Sequence, residues 1–225
     1  PYGNKSKSSI LKFSLQITKW LLKQNCKIIV IACNTASSYS TDLLKRKYKF
    51  PIFDVLSAGV AASLESEAKR IGVIGTSSTI ESNTYQRTLK KRKKSIKIIA
   101  KACPMLVPII EQGLAKENYS KIIIKNNLAL LKKSKVEALI LGCTHYPLIK
   151  NEIKKFLGPR VTLVDSAEEI SKSLFKYLKT NHPKEFTKYK KKRRIYVTDK
   201  SSYFERASKK IFKNIEVEIK LVDIK

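Results

Sequence analysis

Glycine and acidic residues are scarce in this sequence of 225 residues. It holds 7 glycines, about 3% of the chain where ~7% is usual, and 18 Asp and Glu against 47 Lys and Arg. The net charge of +29 would suit a polyanion such as nucleic acid. However, the basic residues are mostly lysines spread along the chain, and aromatic residues do not interleave with them as a stacking surface requires. We therefore attribute the charge to a lysine-rich composition and keep a nucleic-acid-binding protein without activity as an alternative.

Several sequence signals are missing. No apolar run reaches the roughly 18 residues of a transmembrane helix, and nothing before Trp20 has the pattern of a signal peptide. We expect no membrane partner and a cytoplasmic location. Neither a dinucleotide loop, nor a P-loop, nor a serine-hydrolase elbow is present. The four cysteines form no C-x-x-C pair and the two histidines lack zinc-like spacing, so we predict no cofactor and no metal site.

Helical and strand patterns alternate along the whole chain. Short apolar runs rich in β-branched residues, such as 27–32, 70–75 and 137–142, follow amphipathic stretches such as 9–24. This alternation predicts an α/β fold with about eight strands in parallel sheets. It also predicts one helix over 79–91 and two capping boxes, which pair Ser166 with Glu169 and Ser202 with Glu205. The lysine-rich stretch 184–194 is expected to be a solvated helix end and loop.

Thiols follow two of these apolar strands. The run 27–32 leads into C-N-T-A-S from Cys33, and the run 137–142 leads into C-T-H-Y-P from Cys143. The third run, 70–75, leads into T-S-S-T from Thr76. Ligands of open α/β sheets bind beyond the carboxyl ends of the strands. Helix N-termini at such positions favour a carboxylate ligand and lower the pKa of a thiol.

Two equivalent thiols suggest two related halves that face one cleft. A pair of like acid/base groups on opposite sides of one carbon suits stereoinversion, because one group removes a proton while the other returns one. A thiol can do both, since its ordinary pKa of about 8.5 is close to neutral. A buried apolar cysteine is the commoner role for either thiol taken alone.

The same residues resemble the glutamate racemases of the cofactor-independent aspartate/glutamate racemase family. The resemblance rests on C-N-T-A-S at 33–37 and L-G-C-T-H-Y-P at 141–147. Further matches are P-Y-G-N-K-S at 1–6, G-V-I-G-T at 72–76 and C-P-x-x-V-P-x-x-E at 103–111. Aspartate racemases usually have His after C-N-T-A and Glu after G-C-T, where this chain has Ser37 and His145. Glutamate is therefore favoured, and aspartate or another amino acid is the alternative substrate.

The resemblance implies a role for each matching residue. Cys33 would take the α-proton of D-glutamate, Cys143 would take that of L-glutamate, and His145 would assist Cys143. Glu111 would lie near the active site and assist the reaction. The substrate would be bound by a set of small polar residues and a closing segment, namely Asn34, Thr35, Thr76, Thr79 and Thr144 with Tyr2 and Gly3. Cys26 and Cys103 are expected at a helix end and in the core, and His182 in a surface loop.

The resemblance also implies the architecture. We expect two similar parallel-sheet α/β domains related by pseudo-twofold symmetry, with the active site in the cleft between them. The first domain would comprise residues 1–56 plus 166–225, and the second residues 57–165. The product would be D-glutamate for peptidoglycan synthesis. The oligomeric state stays open, with a homodimer as one option.

One feature of the family has no match in this sequence. In the family, a strand and an Asp-Ser-Gly-x-Gly-Gly segment precede the Pro-Tyr-Gly loop, and their Asp orients the thiol that matches Cys33. From this difference we expect the 225-residue chain to be a poor enzyme by itself.

Overall fold

The computed structural model describes residues 2–183, 193–213 and 215–224. The chain divides into two compact units, Pro1–Leu174 and Phe175–Lys225. The described helices are α1 (Lys7–Lys23), α2 (Asn34–Lys47), α3 (Val55–Glu65), α4 (Ser77–Glu81), α5 (Thr84–Arg92), α6 (Leu106–Glu111), α7 (Asn118–Lys133), α8 (Lys150–Leu157), α9 (Ser166–Asn181) and α10 (Ser202–Ile211). Short 3-10 helices span Tyr2–Asn4 and Tyr146–Ile149.

The described strands are β1 (Ile29–Ile31), β2 (Ile52–Asp54), β3 (Arg70–Gly75), β4 (Lys97–Ala102), β5 (Ala138–Gly142), β6 (Thr162–Val164), β7 (Arg194–Val197) and β8 (Glu218–Leu221). In the first unit β1 pairs with β2, and a separate sheet has the order β4-β3-β5-β6. In the second unit β7 pairs with β8. All these pairings are parallel, so the predicted parallel α/β fold is confirmed.

The four-stranded sheet is covered on both faces. Alternate residues of a strand point to opposite faces, and β5 follows this rule. Ala138 and Ile140 pack into one apolar cluster with Val60 of α3, while Leu139 and Leu141 pack into another with residues of α7. Burial on both faces explains why the strands are continuous apolar runs. In the central strands β3 and β5 the interior is apolar and buried, so polar residues follow the strand ends.

The predicted helix over 79–91 is wrong, because the chain forms two helices there. Helix α4 ends at Glu81 and α5 begins at Thr84. Asn83 between them has a φ of 54°, a left-handed conformation that cannot continue a right-handed helix. The Ser82 hydroxyl bonds the Thr79 carbonyl at 2.7 Å, a local bond that competes with the helical pattern.

Both predicted capping boxes are also wrong, in each case by one residue. Asp165 caps α9, since its Oδ1 accepts from the Ala167 amide at 3.0 Å. Ser201 caps α10, since its hydroxyl accepts from the Phe204 amide at 3.2 Å. Any of Ser, Thr, Asp and Asn can cap a helix, so a pattern with two neighbouring candidates does not fix the boundary.

Two further predictions are not tested by the structure. The division into residues 1–56 plus 166–225 and residues 57–165 stays a prediction, although the four-stranded sheet lies wholly within 57–165. Residues 184–192 of the lysine-rich stretch lie outside the described part of the chain. No helix among the described residues is long and apolar enough to cross a membrane.

Candidate active site

The ends of β3 and β5 lie side by side. The two strands are parallel and Gly75 pairs with Gly142, so Thr76 and Cys143 follow at the same edge of the sheet. The strands approach so closely that a Cβ on Gly142 would lie 2.5 Å from the Ile74 carbonyl oxygen. Glycine at 142 is therefore a steric requirement for placing Cys143.

A small cavity of about 60 Å³ lies at this edge, enough for several water molecules. Both thiols line it. Its lining comprises Tyr2, Gly3, Cys33, Asn34, Thr35, Thr76, Val107, Gly142, Cys143, Thr144 and His145. The structure thus brings together nine of the predicted site residues in the lining of one cavity. The other two, Thr79 and Glu111, do not line it but contact residues that do.

Cys33 lies directly before α2. Its backbone is extended and Asn34 is the first helical residue, so the N-terminal amides of a 14-residue helix begin beside the thiol. These amides carry partial positive charge and favour an anionic group. Cys33 is half-buried, while Asn34 and Thr35 are buried. The buried amide of Asn34 accepts a hydrogen bond of 2.6 Å from the Tyr85 hydroxyl.

Three threonine hydroxyls form a closed group beside the cavity. Thr35 Oγ1 lies 3.0 Å from the Oγ1 atoms of Thr76 and Thr79, and these two lie 2.9 Å apart. The group joins the first turn of α2 to the first turn of α4. Because each hydroxyl can donate or accept, the group can present either a donor or an acceptor to a ligand.

The segment at Tyr2 and Gly3 closes one side of the cavity. Ser78 Oγ donates to the Gly3 carbonyl at 2.7 Å, and a Cβ on Gly3 would lie 2.7 Å from Thr76 Cβ. The Tyr2 ring is 5.9 Å from the Phe13 ring of α1. Burial, and then the nearby Cys33, raise the pKa of the Tyr2 phenol.

A carboxylate and an imidazole stand in line with Cys143. His145 Nδ1 lies 3.7 Å from Cys143 Sγ, and His145 Nε2 lies 3.1 Å from Glu111 Oε1. Glu111 ends α6, so the imidazole is oriented from another element of the fold. An imidazole held between a carboxylate and a thiol can exchange a proton with the sulfur.

Comparisons with known proteins agree with this geometry. A family model described as Asp/Glu/Hydantoin racemase matches residues 3–173. The chain belongs to this racemase family. A glutamate racemase from Sulfurihydrogenibium sp. is 42% identical over 227 residues, covering 100% of this chain and 85% of the relative.

Solved racemases share the fold. A glutamate racemase isoform from Bacillus anthracis is 33% identical with a TM-score of 0.91. A glutamate racemase from Francisella tularensis, solved in complex with D-glutamate, is 34% identical with a TM-score of 0.90. Each comparison covers 100% of this chain and 84% of the solved one. The predicted family and fold are confirmed.

The expectation of a lowered thiol pKa is wrong for Cys143 of this racemase family member. The pKa of Cys143 is raised to about 11, chiefly by burial; the His145 amide and the Thr144 hydroxyl lower it, and the nearby Cys33 and Glu111 contribute to the rise. Desolvation of the charged form outweighs local hydrogen bonds here. A 3-10 helix rather than an α-helix follows Cys143, so the helix-terminus effect is small.

Sequence reasoning missed several residues that shape the racemase cavity. Val107 and Gly142 line it, Tyr85 holds Asn34 and Ser78 holds Gly3. Val107 lies within the C-P-x-x-V-P-x-x-E motif and Gly142 within the L-G-C-T-H-Y-P motif, and these motifs could have pointed to them. Nothing local to Tyr85 or Ser78 signals their partners, which are 51 and 75 residues away.

The remaining cysteines and the second histidine stand apart from the cavity. Cys103 is fully buried in the core, where burial raises its pKa to about 12, in agreement with its predicted core position. Cys26 follows α1 and is half-buried. His182 follows α9, with its ring 5.8 Å from that of Tyr177. Within the described ranges, no three His, Cys, Asp or Glu side chains group as metal ligands.

Proposed function

We propose that this protein interconverts L- and D-glutamate with Cys33 and Cys143 as the two acid/base groups. The observation that carries the proposal is that both thiols line one small cavity, each at a strand end. Similarity to glutamate racemases along the whole chain supports the substrate, as does the relative solved with D-glutamate.

Each direction uses one thiolate and one thiol. With L-glutamate, the Cys143 thiolate takes the α-proton onto its sulfur, and the Cys33 thiol gives its proton to the opposite face of the same carbon. The product is D-glutamate and the two sulfurs have exchanged protonation states. D-glutamate reacts in the reverse sense, with Cys33 as the base.

The surrounding groups fit the charges of the substrate. The α2 N-terminus and the hydroxyls of Thr76 and Thr144 suit its carboxylates. Tyr2 and Gly3 close over it, and His145, oriented by Glu111, exchanges a proton with Cys143. Thr35 and Thr79 hold Thr76 in place.

The proposal extends to the cellular setting and to cofactors. The product would serve peptidoglycan synthesis, in the cytoplasm. Proton transfer between two thiols and one carbon needs neither pyridoxal nor a metal ion, so activity is expected to survive hydroxylamine and a chelator.

The proposal is tested by following the loss of optical activity of L-glutamate, with L-aspartate as the competing substrate. Cys33→Ala and Cys143→Ala should each abolish racemisation, because inversion needs an acid and a base. Cys26→Ala is the matched control, since Cys26 does not line the cavity, and should retain activity. Normal racemisation by Cys143→Ala, or faster turnover of aspartate than of glutamate, would contradict the proposal.

A further inference from the structure

A second and larger cavity, of about 730 Å³, lies along α7 and α8 in the first unit. None of its lining residues lines the cavity of the two thiols. Its lining is mainly basic, with two apolar side chains and one carboxylate, namely Lys116, Lys121, Lys125, Lys132, Lys155, Ile124, Phe156 and Glu152. We call this concavity the lysine cavity.

The positive charge of the lysine cavity is poorly compensated. Among the described residues, none of its five lysines has a carboxylate within 4.0 Å. Lys121 and Lys125 are one helical turn apart on α7, where like charges destabilise a helix. A concave surface of one charge sign focuses the electrostatic potential. An anion in the cavity would relieve this repulsion.

The dimensions favour an extended anion over a single small ion. Lys121 and Lys132 lie about 16 Å apart along α7 at a rise of ~1.5 Å per residue. A single phosphate group is small compared with this span, so an anion with several linked phosphate groups can contact more of these lysines at once than one phosphate can. The volume falls within the ~300–1,000 Å³ typical of small-ligand sites, which favours a compact molecule over a polymer.

The two apolar side chains of the cavity, Ile124 and Phe156, form part of its wall. Ile124 is buried, and Lys132 Nζ lies 4.5 Å from the centre of the Phe156 ring. This contact holds one ammonium group at the wall. Ammonium groups bind phosphate oxygens by charge-assisted hydrogen bonds.

We infer that the lysine cavity is a binding site for a small oligophosphate, a ligand with two or more linked phosphate groups. The lysines of α7 lie along the phosphate chain, and Lys116 and Lys155 contribute from the adjoining segments. The same phosphate chemistry occurs in a nucleic-acid backbone, so the test compares the two sources.

The test is calorimetric titration with tripolyphosphate at physiological salt, with a single-stranded oligonucleotide as the second titrant. The cavity variant is Lys121→Gln/Lys125→Gln/Lys132→Gln. The control variant is Lys12→Gln/Lys19→Gln/Lys23→Gln, which removes the same charge from exposed positions over an equal span of α1. We expect tripolyphosphate to bind roughly tenfold or more weakly to the cavity variant and less than twofold more weakly to the control.

Three outcomes would overturn the inference. Equal weakening in both variants would mean diffuse attraction to a basic protein, and absence of binding to the unmodified protein would mean no site. Tighter binding of the oligonucleotide, unaffected by the cavity variant, would mean a nucleic-acid surface elsewhere. The NMR chemical shifts of the backbone amides, followed in the unmodified protein as tripolyphosphate is added, give an independent readout. They should change along α7 and α8 and not along α1.

Discussion

The Tyr85 hydroxyl donates a 2.6 Å hydrogen bond to Asn34 Oδ1 at the wall of the thiol cavity. Tyr85 is fully buried, and this burial raises the pKa of its phenol above the ordinary value, so the phenol stays a donor at any working pH. In the proposed mechanism Asn34 binds the substrate, and with its carbonyl oxygen held in this way it does so through its amide N–H groups. Tyr85 is therefore a positioning residue that acts through Asn34.

Tyr85→Phe should weaken substrate binding without removing the acid/base groups. The change keeps the ring and leaves the buried Asn34 oxygen without this donor, a loss of about 1–3 kcal/mol. We expect KM to rise roughly tenfold for both enantiomers while kcat changes less. Steady-state kinetics in both directions, with circular dichroism as a folding check, measures this.

Tyr39→Phe is the control for that variant. Tyr39 also donates a hydrogen bond, of 2.9 Å, to the Ser78 carbonyl, but Ser78, unlike Asn34, does not line the cavity. The KM of Tyr39→Phe should stay close to that of the unmodified protein. An equal rise of KM in both variants would mean that Tyr85 has no specific effect on Asn34.

The meeting of the two thiols could be foreseen from the sequence, but only part of it follows from topology. Parallel strands place their carboxyl ends at one edge, so Thr76 and Cys143, which directly follow neighbouring strands of one sheet, had to lie close together. Cys33 follows β1 of a separate sheet, and its meeting with Cys143 was expected only from the repeated strand-thiol pattern and the family resemblance. Contacts that depend on side-chain packing, such as Tyr85 with Asn34, could not be foreseen. In the sequence Tyr85 is one of several apolar positions in a helical pattern.

The electrostatic environment was the least predictable feature. The N-terminus of a helix lowers the pKa of a thiol, whereas burial raises it. At Cys143 burial prevails, because the core around β5 is closed on both faces. The degree of burial depends on the whole fold, so no local motif could have supplied the sign.

Gly142→Ala should reduce both stability and turnover. The added methyl group would lie 2.5 Å from the Ile74 carbonyl oxygen, so β3 and β5 must separate. Overpacking of this kind costs about 1–3 kcal/mol, and the shift moves the adjoining Cys143. Urea unfolding and kcat measure the two effects.

Gly113→Ala is the matched control for Gly142→Ala. A Cβ on Gly113 meets no atom within 4 Å, but its φ is +74°, so alanine is strained there by about 1–2 kcal/mol. Both variants should therefore lose stability, and only Gly142→Ala should lose kcat. Retention of kcat by Gly142→Ala would show that the close approach of β3 and β5 does not position Cys143.

The proposed mechanism also predicts a pH profile with an alkaline limit. The reactive protein carries one thiolate and one thiol, so activity falls when the second thiol loses its proton. Burial is the main cause that raises the pKa of Cys143 to about 11, and the nearby Cys33 contributes to the rise, so Cys143 keeps its proton up to strongly alkaline pH. The part of the alkaline fall of kcat/KM that Cys143 causes should therefore lie near pH 11, above the separate titration of the substrate's α-amino group. It should be the same in both directions, because the two enantiomers have equal free energy.

Glu111→Gln should move this alkaline fall to lower pH. The negative charge of Glu111 raises the pKa of Cys143, so a neutral isostere lowers that pKa, while its amide oxygen can still accept from His145 as Glu111 does at 3.1 Å. Profiles of kcat/KM from about pH 7 to 12, supported by thiolate absorbance, measure the shift. Glu117→Gln removes the same charge at the exposed start of α7 and should leave the profile unchanged. An alkaline fall that stays in place or rises in Glu111→Gln would mean that the Glu111 carboxylate does not act on Cys143.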